Sequence, residues 1–330
     1  MYEIPYHTTS LEEKTILITG AAGFIGSNIV EYLLKYKVKK VIVLDNFLTG
    51  FRANVEQFLE HPNYQFIEGD IRDLEVCKKA CEGVDVVCHQ AAMGSVPRSV
   101  REPYATTGHN IDGFVNMAFA AHHHGIKRFV YASSSSVYGD EPNLPKIEHR
   151  IGKPLSPYAI TKLSNELFAE NFGRLYDMEF IGFRYFNVFG PRQSPKGAYA
   201  AVLPLFADAC LNDKEVFING DGGQTRDFTF VENVVQINIK AMLTTNPAAL
   251  NEVYNVGCGG RYTVLELFDG IKQAAGVPDK TPIHRAPREG DIRDSQANIS
   301  KAEKLLGYDP QFDFQKGLKI TVDYFKTLEA

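Results

Sequence analysis

The chain has few cysteines, no long apolar run and no block of basic residues. Its cysteines number five, an odd count, and residues 1–14 lack the basic start and apolar stretch of a secretory signal. Both features indicate reduced, buried thiols rather than a disulfide framework. We therefore expect a cytoplasmic protein.

Two further absences exclude classes of partner. No segment reaches the roughly 18 consecutive apolar residues that a transmembrane helix needs. The 35 Lys and Arg residues are balanced by 40 Asp and Glu residues, and no basic cluster occurs, which argues against nucleic acid or a membrane surface as the main partner. The 330 residues, 44% hydrophobic and 23% charged, have the composition of a globular protein with one large domain or two modest ones.

Apolar, β-rich segments alternate with helical patterns through the first half of the chain. Most of these segments are near-continuous apolar runs, as expected of parallel strands that are covered on both faces. The alternation predicts βαβ units in a doubly wound, Rossmann-type parallel sheet of the α/β class. The predicted strands are 15–19, 40–44, 64–67, 85–88, 128–132 and 180–185, and the predicted helices are 24–37, 51–60, 73–82, 101–124 and 157–176.

The pattern changes after about residue 187, where glycine and proline become dense. This change predicts a dinucleotide-binding domain over residues 1–187 and a smaller, C-terminal substrate-binding lobe over residues 188–330. We expect the two parts to be interleaved. Segments near 228–231 and 253–256 are predicted to return to the main sheet as strands.

Three glycines follow the first predicted strand in the spacing G-x-x-G-x-x-G. Gly20, Gly23 and Gly26 stand between that strand and a predicted helix. Glycines at these positions permit a tight turn, close approach of the backbone to a pyrophosphate and close packing of helix on strand. The helix N-terminus then faces the negative phosphates. The context predicts a dinucleotide site.

The carboxyl ends of the next strands carry further groups toward the same site. Asp45 lies 19 residues beyond Gly26, where a carboxylate can accept both adenosine-ribose hydroxyls and would repel a 2′-phosphate, so NAD is favoured over NADP. Asp70 and Ile71 follow the third strand and could flank the adenine. The small residues Ala91 and Ala92, after Gln90 on the fourth strand, leave room for the cofactor.

A serine-rich strand end and a Tyr-x-x-x-Lys pair suggest alcohol oxidation. Ser134 ends the fifth predicted strand, and Tyr158 and Lys162 lie one helical turn apart 24 residues later. A tyrosine is a poor base at neutral pH because its ordinary pKa is about 10, but a nearby ammonium and an oxidised nicotinamide favour the phenolate. The three residues could remove a proton from an alcohol while the cofactor takes a hydride from its carbon.

These motifs together resemble the extended short-chain dehydrogenase/reductases. The resemblance extends from about Lys14 to Leu328 and includes GAAGFIG, LDNF, GDIRD, HQAA, SSSSVYG, SPYAITK, RYFNVFGPRQ, NGDGGQTRDFTFV and REGDIRDS. Within that superfamily the chain is similar to the UDP-sugar 4-epimerases. The segments MGSVPRS at 93–99 and GAYAAVLP at 197–204 resemble the forms that act on UDP-N-acetylglucosamine and UDP-N-acetylgalactosamine.

The resemblance implies a role for each matching residue. Ser134 is the expected catalytic serine, Tyr158 the base and Lys162 the lysine on the cofactor ribose. The other expected cofactor residues are Gly20, Gly23, Phe24, Ile25, Gly26, Asp45, Asn46, Gly50, Asp70, Ile71, Gln90, Ala91, Ala92, Tyr185 and Val188. The expected substrate residues are Gly94, Ser95, Ser135 and Ser136 near the sugar, Asn187, Arg226, Arg288 and Asp291 on diphosphate and ribose, Ala201, Val202, Phe217 and Asn219 around the uracil, and Ser295 at the sugar pocket.

Two positions refine the expected substrate. Sugar-nucleotide dehydratases of the superfamily carry an acid pair after the catalytic Ser or Thr, whereas this chain has Ser135 and Ser136, which are poor acids. Ser295 stands where epimerases restricted to plain glucose and galactose carry a tyrosine, so it leaves room for a 2-acetamido group; a small loop residue facing water is the other interpretation. A UDP-uronate epimerase, another sugar-nucleotide enzyme of this type and a non-catalytic NAD-binding protein remain alternatives.

Other features of the sequence support weaker hypotheses about metal binding, the active-site backbone and assembly. We expect no metal site, because three consecutive histidines at 122–124 point in different directions on a helix and Cys77 and Cys81 have no further ligands nearby. Asn110 either orders a structural water or fixes the active-site backbone. The resemblance also implies a homodimer in which helices 101–124 and 157–176 form a four-helix bundle, with Ala118, Phe119, Leu167 and Phe168 as contact candidates.

Overall fold

The computed structural model describes residues 1–195, 201–287 and 293–329. Its strands are β1 (Thr15–Thr19), β2 (Lys40–Asp45), β3 (Tyr64–Glu68), β4 (Val86–His89), β5 (Arg128–Ser134), β6 (Glu179–Tyr185), β7 (Val188–Phe189), β8 (Phe217–Asn219), β9 (Thr225–Arg226), β10 (Thr229–Phe230), β11 (Glu252–Val256), β12 (Tyr262–Thr263) and β13 (Ile283–Arg285).

The helices follow the strands in regular alternation through the first half. They are α1 (Phe24–Lys35), α2 (Ala53–Glu56), α3 (Leu74–Ala80), α4 (Val96–Arg101), α5 (Pro103–Thr107), α6 (Gly113–His123), α7 (Pro157–Tyr176), α8 (Val202–Leu211), α9 (Val231–Leu243), α10 (Val264–Ala275), α11 (Ser300–Leu306) and α12 (Phe314–Glu329). A π-helical turn, Gly108–Asp112, joins α5 to α6. Among the described residues, no helix combines the length and apolarity needed to cross a membrane.

A parallel sheet forms the centre of the molecule. In the described residues its strand order is β11-β6-β5-β4-β1-β2-β3, and every neighbouring pair is parallel. All five residues of β1 are buried, because apolar clusters cover both faces of the sheet: one includes residues of α1 and α9, the other residues of α3 and α6. The predicted doubly wound α/β sheet is therefore confirmed.

The strand order places a crevice beside β1. The chain runs outward from β1 through β2 to β3 and then crosses back to β4 on the other side of β1. Loops that leave β1 and β4 therefore diverge to opposite sides. In open α/β sheets, ligands bind in the crevice beyond the carboxyl ends of strands at such a switch point.

A second apolar core lies mainly in the C-terminal part. It contains buried residues between Phe189 and Phe325, contributed largely by α8, α10 and α12, and three two-stranded pairs accompany it: β7 with β10, β9 with β12, and β8 with β13. The division at residue 187 stays a prediction.

One of the two predicted returning strands is in the main sheet. Strand β11 lies beside β6, as predicted for the segment near 253–256. The prediction for 228–231 is wrong: Thr229 and Phe230 pair with β7 instead, and Val231 already begins α9. The place beside β6 is occupied by β11, and β10 pairs with β7 outside the main sheet.

The predicted helices at 101–124 and 51–60 are too long. Pro103 begins α5, and Glu102 before it is non-helical at φ −127° and ψ 58°, because a proline disfavours the α conformation of its predecessor. Helix α4 precedes that break and was not predicted. After α2, the N–H groups of Phe58 and Leu59 bond carbonyls three residues back, which makes turns rather than an α-helix.

Candidate functional site

Two adjoining cavities lie at the carboxyl ends of the sheet strands. Their volumes are about 610 Å³ for the first cavity, which is lined by the glycine loop after β1, and about 620 Å³ for the second cavity, which is lined by α8 and β8. Residues that line both cavities mark the junction: Ser95, Asn187, Val188, Gln193 and Ala201. The two cavities therefore form one cleft long enough for two joined ligands.

The glycine loop makes one end of the first cavity. Gly20 has φ +75°, and a Cβ on it would lie 2.6 Å from the Ala91 nitrogen. A Cβ on Gly26 would lie 2.6 Å from the Gly20 oxygen. Gly23 caps α1 without a side chain, so no side-chain oxygen bonds the first-turn N–H groups, and these are suited to bind phosphate. The loop fits a dinucleotide pyrophosphate.

Asp45 lies at the end of β2 in the same cavity. Its oxygens accept hydrogen bonds from the N–H groups of Ala22 at 2.9 Å and Phe47 at 2.8 Å. Burial raises the pKa of the carboxyl, and the N–H groups of Phe47, Ala22 and Asn46 oppose that rise. Each oxygen keeps acceptor capacity for a ribose hydroxyl. This arrangement fits NAD.

Most of the expected cofactor residues line the first cavity. They are Gly20, Gly23, Phe24, Ile25, Gly26, Asp45, Asn46, Gly50, Ile71, Gln90, Ala91, Ala92, Tyr158, Lys162, Tyr185 and Val188. Asp70 is not among the lining residues, although Gly69 and Ile71 on either side of it are. The Asp70 carboxylate instead binds the Arg72 guanidinium at 2.7 Å and accepts from the Asn46 amide at 3.1 Å, so it orients Asn46.

Ser134, Tyr158 and Lys162 come together in the wall of the first cavity. Helix α7 begins with Pro157 after Ser156, whose hydroxyl accepts from the Ala159 N–H, and this cap fixes the turn that carries Tyr158. The Lys162 ammonium lies 5.9 Å from the Tyr158 ring centroid and donates to the Ala132 carbonyl at 2.8 Å. The predicted trio is therefore brought together by β5 and α7.

The trio is poised by burial and hydrogen bonding. Burial raises the pKa of Tyr158, and a hydrogen bond with Ser134 lowers it. Burial lowers the pKa of Lys162 to about 8, and the charge of Glu166 opposes this. Ser135 also lines the cavity, whereas Ser136 is absent from its lining and donates from its hydroxyl to the Ser134 oxygen at 3.0 Å. Ser136 therefore contacts the Ser134 hydroxyl rather than the cavity.

Asn110 holds the loop that carries Gly94 and Ser95. Its amide oxygen accepts from the Met93 N–H at 2.7 Å, and its amide nitrogen donates to Thr161 on α7 at 3.0 Å. Of the two hypotheses, fixing the active-site backbone is therefore the one that the geometry supports. Ser95 has φ +97°, unusual for a residue other than glycine, and it lies at the junction of the cavities.

The second cavity contains the expected uracil residues. Ala201, Val202, Phe217, Asn219 and Arg226 line it together with Asn187. Arg288 and Asp291 lie outside the described residues. Ser295 is half-buried but lines neither cavity, and its N–H bonds the Thr225 carbonyl at 3.1 Å, one residue from Arg226.

Several lining residues were not predicted. Arg192, Gln193 and Ser194 line the first cavity, and Arg192 is held over α1 by Glu31 and the Ser27 carbonyl. The GPRQ segment could have indicated them. His109 on the π-helical turn and Arg285, whose guanidinium lies 3.2 Å from the Phe217 ring centroid, carried no sequence signal.

The cysteine and histidine side chains considered as possible metal ligands are buried or packed against other side chains. Cys77 and Cys81 are free and buried, and burial raises the pKa of each thiol to about 12. His122 stacks on Tyr176 with ring centroids 4.2 Å apart. In the described parts of the chain, no three His, Cys, Asp or Glu side chains form a group that could hold a metal ion.

The sequence and the fold are similar to those of known enzymes. The model of the NAD dependent epimerase/dehydratase family matches residues 16–257. A putative UDP-glucose 4-epimerase of Methanocaldococcus jannaschii is 39% identical over 94% of this chain and 98% of the relative.

Two solved structures show the same likeness. UDP-glucose 4-epimerase from Thermotoga maritima with UDP-glucose is 38% identical with a TM-score of 0.89, over 96% of this chain and all of that chain. UDP-N-acetylglucosamine 4-epimerase from Methanobrevibacter ruminantium with UDP-N-acetylmuramic acid is 37% identical with a TM-score of 0.89, over 96% and 99%. This chain, with its glycine loop, Asp45 and Ser–Tyr–Lys trio, belongs to the NAD-dependent epimerase/dehydratase family.

Proposed function

We propose that this enzyme interconverts UDP-N-acetylglucosamine and UDP-N-acetylgalactosamine by inverting C4 of the sugar. The broader assignment, an NAD-dependent UDP-sugar 4-epimerase, is supported by the names of its relatives. The observation that most directly supports this function is the junction of the two cavities. Ser95 and Asn187 line both cavities there, and the trio lines the first, so a sugar at the junction meets both the base and the cofactor.

The residues of the trio divide the proton chemistry. Tyr158 removes the proton of the C4 hydroxyl, Ser134 hydrogen-bonds the same oxygen, and Lys162 favours the phenolate and holds the cofactor ribose. Bound NAD supplies the hydride acceptor and donor at C4. After the keto sugar has rotated in the cleft, Tyr158 returns the proton to the C4 oxygen. The complete cycle therefore consumes and releases no net protons or electrons.

The cleft suits a sugar that must turn while UDP stays in place. The second cavity offers an aromatic ring, an amide and a cation in Phe217, Asn219 and Arg226. Arginine binds phosphate through two parallel donors. Around the sugar stand small residues, Gly94 and Ser95 among them, which leave space for rotation. The serines after Ser134 supply no acid for dehydration.

One observation favours a second candidate substrate. Arg98 lines the first cavity, as does Ser95, and a guanidinium there suits the carboxylate of a UDP-uronate. Both candidates are tested by incubating the purified protein, without added cofactor, with UDP-N-acetylglucosamine, UDP-glucose or UDP-glucuronate and separating the products by chromatography. We expect the fastest turnover with UDP-N-acetylglucosamine. Faster turnover of UDP-glucuronate would select the second candidate, and no product from any sugar would overturn the assignment.

Ser295 lines neither cavity, but its N–H bonds the Thr225 carbonyl next to Arg226, which lines the second cavity. Ser295→Tyr therefore tests whether bulk added at this position reaches the sugar and restricts the acetamido group. Forcing bulk into a packed site costs about 1–3 kcal/mol, or roughly 5- to 150-fold in rate. We expect kcat/KM for the N-acetylated pair to fall by that factor and kcat/KM for UDP-glucose to change little. Ser300→Tyr, the same change at an exposed position of the neighbouring α11, is the control. An equal loss on both substrates would show that Ser295 does not select the sugar.

We also propose a homodimer that pairs α7 with its copy. Leu167 is 60% exposed and Tyr104 on α5 is 93% exposed, and Val100 and Ile160 are exposed as well. The earlier candidate Ala118 is wrong, because its side chain is fully buried in the core of its own chain, and Phe168 is partly buried against that core. Leu167 and Phe119 remain candidates.

Leu167→Glu is expected to convert the dimer into a monomer, because an unpaired carboxylate in an apolar interface is costly. Light scattering at micromolar concentration measures the mass. Leu328→Glu, at an equally exposed leucine on α12, should leave a dimer. A monomeric wild type would refute the assembly.

A further inference from the structure

A buried ion pair lies directly behind the catalytic trio. The side chains of Glu166 and Arg184 are 8% and 4% exposed. Arg184 donates to both carboxylate oxygens, from Nη2 at 2.7 Å and from Nε at 2.9 Å, and the Ser133 hydroxyl donates to Oε1 at 2.5 Å. Desolvation makes buried ion pairs poor sources of stability, so stability alone does not account for this pair.

Each partner of the Glu166 carboxylate precedes an expected site residue in the wall of the first cavity, and Ser133 itself lines that cavity. Ser133 precedes Ser134 at the end of β5, and Arg184 precedes Tyr185 at the end of β6. Glu166 itself lies one helical turn beyond Lys162 and two beyond Tyr158 on α7. One carboxylate therefore ties together the three elements whose ends carry the reacting groups.

The same carboxylate acts on the charge of Lys162. Burial lowers the pKa of the Lys162 ammonium to about 8, and Glu166 is the charge that raises it. Burial also lowers the pKa of Arg184, but the hydrogen bonds and charge of Glu166 raise it above its ordinary value. Arg184 thus stays positive in the neutral range.

Other titratable groups around the pair do not compete in the neutral range. Burial and then Glu166 raise the pKa of Tyr131, and burial raises the pKa of Tyr138 to about 12. His89 is buried, and its pKa is lowered to about 3 by burial and then by Lys162. Glu148 faces Arg184 through its backbone carbonyl, at 2.8 Å.

We propose that Glu166 is a positioning residue of the epimerase reaction, which fixes the Ser134 strand end against the helix of Tyr158 and supplies the anionic counterpart of the Lys162 ammonium. The proposal rests on the proposed function. It assigns two separable effects to one side chain: the geometry of the serine, through Ser133, and the charge of the lysine, through the field of the carboxylate.

Glu166→Gln removes the charge, keeps one acceptor oxygen and replaces the other with an NH2 donor. We expect kcat to fall by as much as about 10²-fold, because a small misplacement of the reacting groups can cost that much in rate. The KM for the UDP-sugar should stay within about twofold. Because Lys162 then loses its proton more readily, the alkaline limb of the pH–kcat profile moves to lower pH. Glu166→Asp keeps the charge and is expected to return that limb to its wild-type position.

Two variants separate the effects and serve as controls. Ser133→Ala removes one hydrogen bond and leaves the ion pair, so it should lower kcat without moving the alkaline limb. Glu179→Gln breaks a comparable pair with Arg128, at the opposite ends of β5 and β6, and should leave both kcat and the limb unchanged. If Glu166→Gln does not fold, an unchanged kcat for Ser133→Ala overturns the positioning role.

A measurement that needs no catalysis tests the role of Glu166 separately from the proposed epimerase activity. In protein labelled at the lysine Cε with ¹³C, the Lys162 signal is assigned with Lys162→Met and titrated by NMR. We expect its titration to move to lower pH in Glu166→Gln even if no UDP-sugar is turned over. If Glu166→Gln leaves both the Lys162 titration and the alkaline limb of the pH–kcat profile unchanged and lowers only the Tm, the ion pair is purely structural.

Discussion

Tyr158→Phe is expected to lower kcat by about 10²–10⁴-fold, the usual cost of losing one positioned acid–base group. The change removes only the phenolic oxygen, and the Phe ring fills the same space in the wall of the first cavity. Ser134 and Lys162 remain, but neither replaces the lost base: a serine hydroxyl is a much weaker one, and Lys162 must stay protonated. The product ratio at fixed enzyme and time measures the loss.

Binding should survive that change. Phe217, Asn219 and Arg226, which we propose to bind uracil and diphosphate, line the second cavity and not the first. The Kd for UDP measured by calorimetry is therefore expected to stay within about twofold. Tyr104→Phe, the same change on a 93% exposed side chain, is the control and should be silent. Near-normal turnover by Tyr158→Phe would remove the base assignment and restore the non-catalytic NAD-binding alternative.

The sequence predicted the parts of the fold that are encoded locally. Strands β1 and β2 are continuous apolar runs because both faces of the sheet are covered, and that pattern is visible without a structure. The glycine loop is equally local, since the Gly20 carbonyl leaves no room for a Cβ on Gly26 within the same turn. The helix of Tyr158 begins where Pro157 follows a capping serine.

What depends on distant contacts could not be predicted. Thr229 and Phe230 have strand composition, but they pair with β7, and β11 takes the position beside β6. The break at Glu102 is a local exception, because Pro103 directly after it disfavours the α conformation, and the helical pattern on both sides concealed that signal. Asn110 and Glu166 are ordinary helix residues in sequence, and their roles appear only when Met93, Thr161, Ser133 and Arg184 are brought to them.

Gly26→Ala is expected to yield protein without bound cofactor and with at least about a hundredfold lower activity. The wild type should purify with NAD(H), because a reaction that regenerates its cofactor in every cycle has no need to release it. A Cβ at position 26 would lie 2.6 Å from the Gly20 oxygen and 2.7 Å from the Ala21 Cα. Both are backbone atoms of the loop that we propose to bind the pyrophosphate, so relief of the clash would move the N–H groups offered to the phosphates.

Nucleotide released by denaturation and quantified by chromatography measures this effect directly. Gly108→Ala is the matched control, because a Cβ there meets nothing nearer than 3.7 Å and the backbone is already helical; it should retain the cofactor. Circular dichroism separates lost binding from lost fold. The sheet order depends on apolar contacts far from this loop, so we expect Gly26→Ala to keep its secondary structure. Full NAD(H) occupancy in Gly26→Ala would show that the pyrophosphate does not lie on this loop.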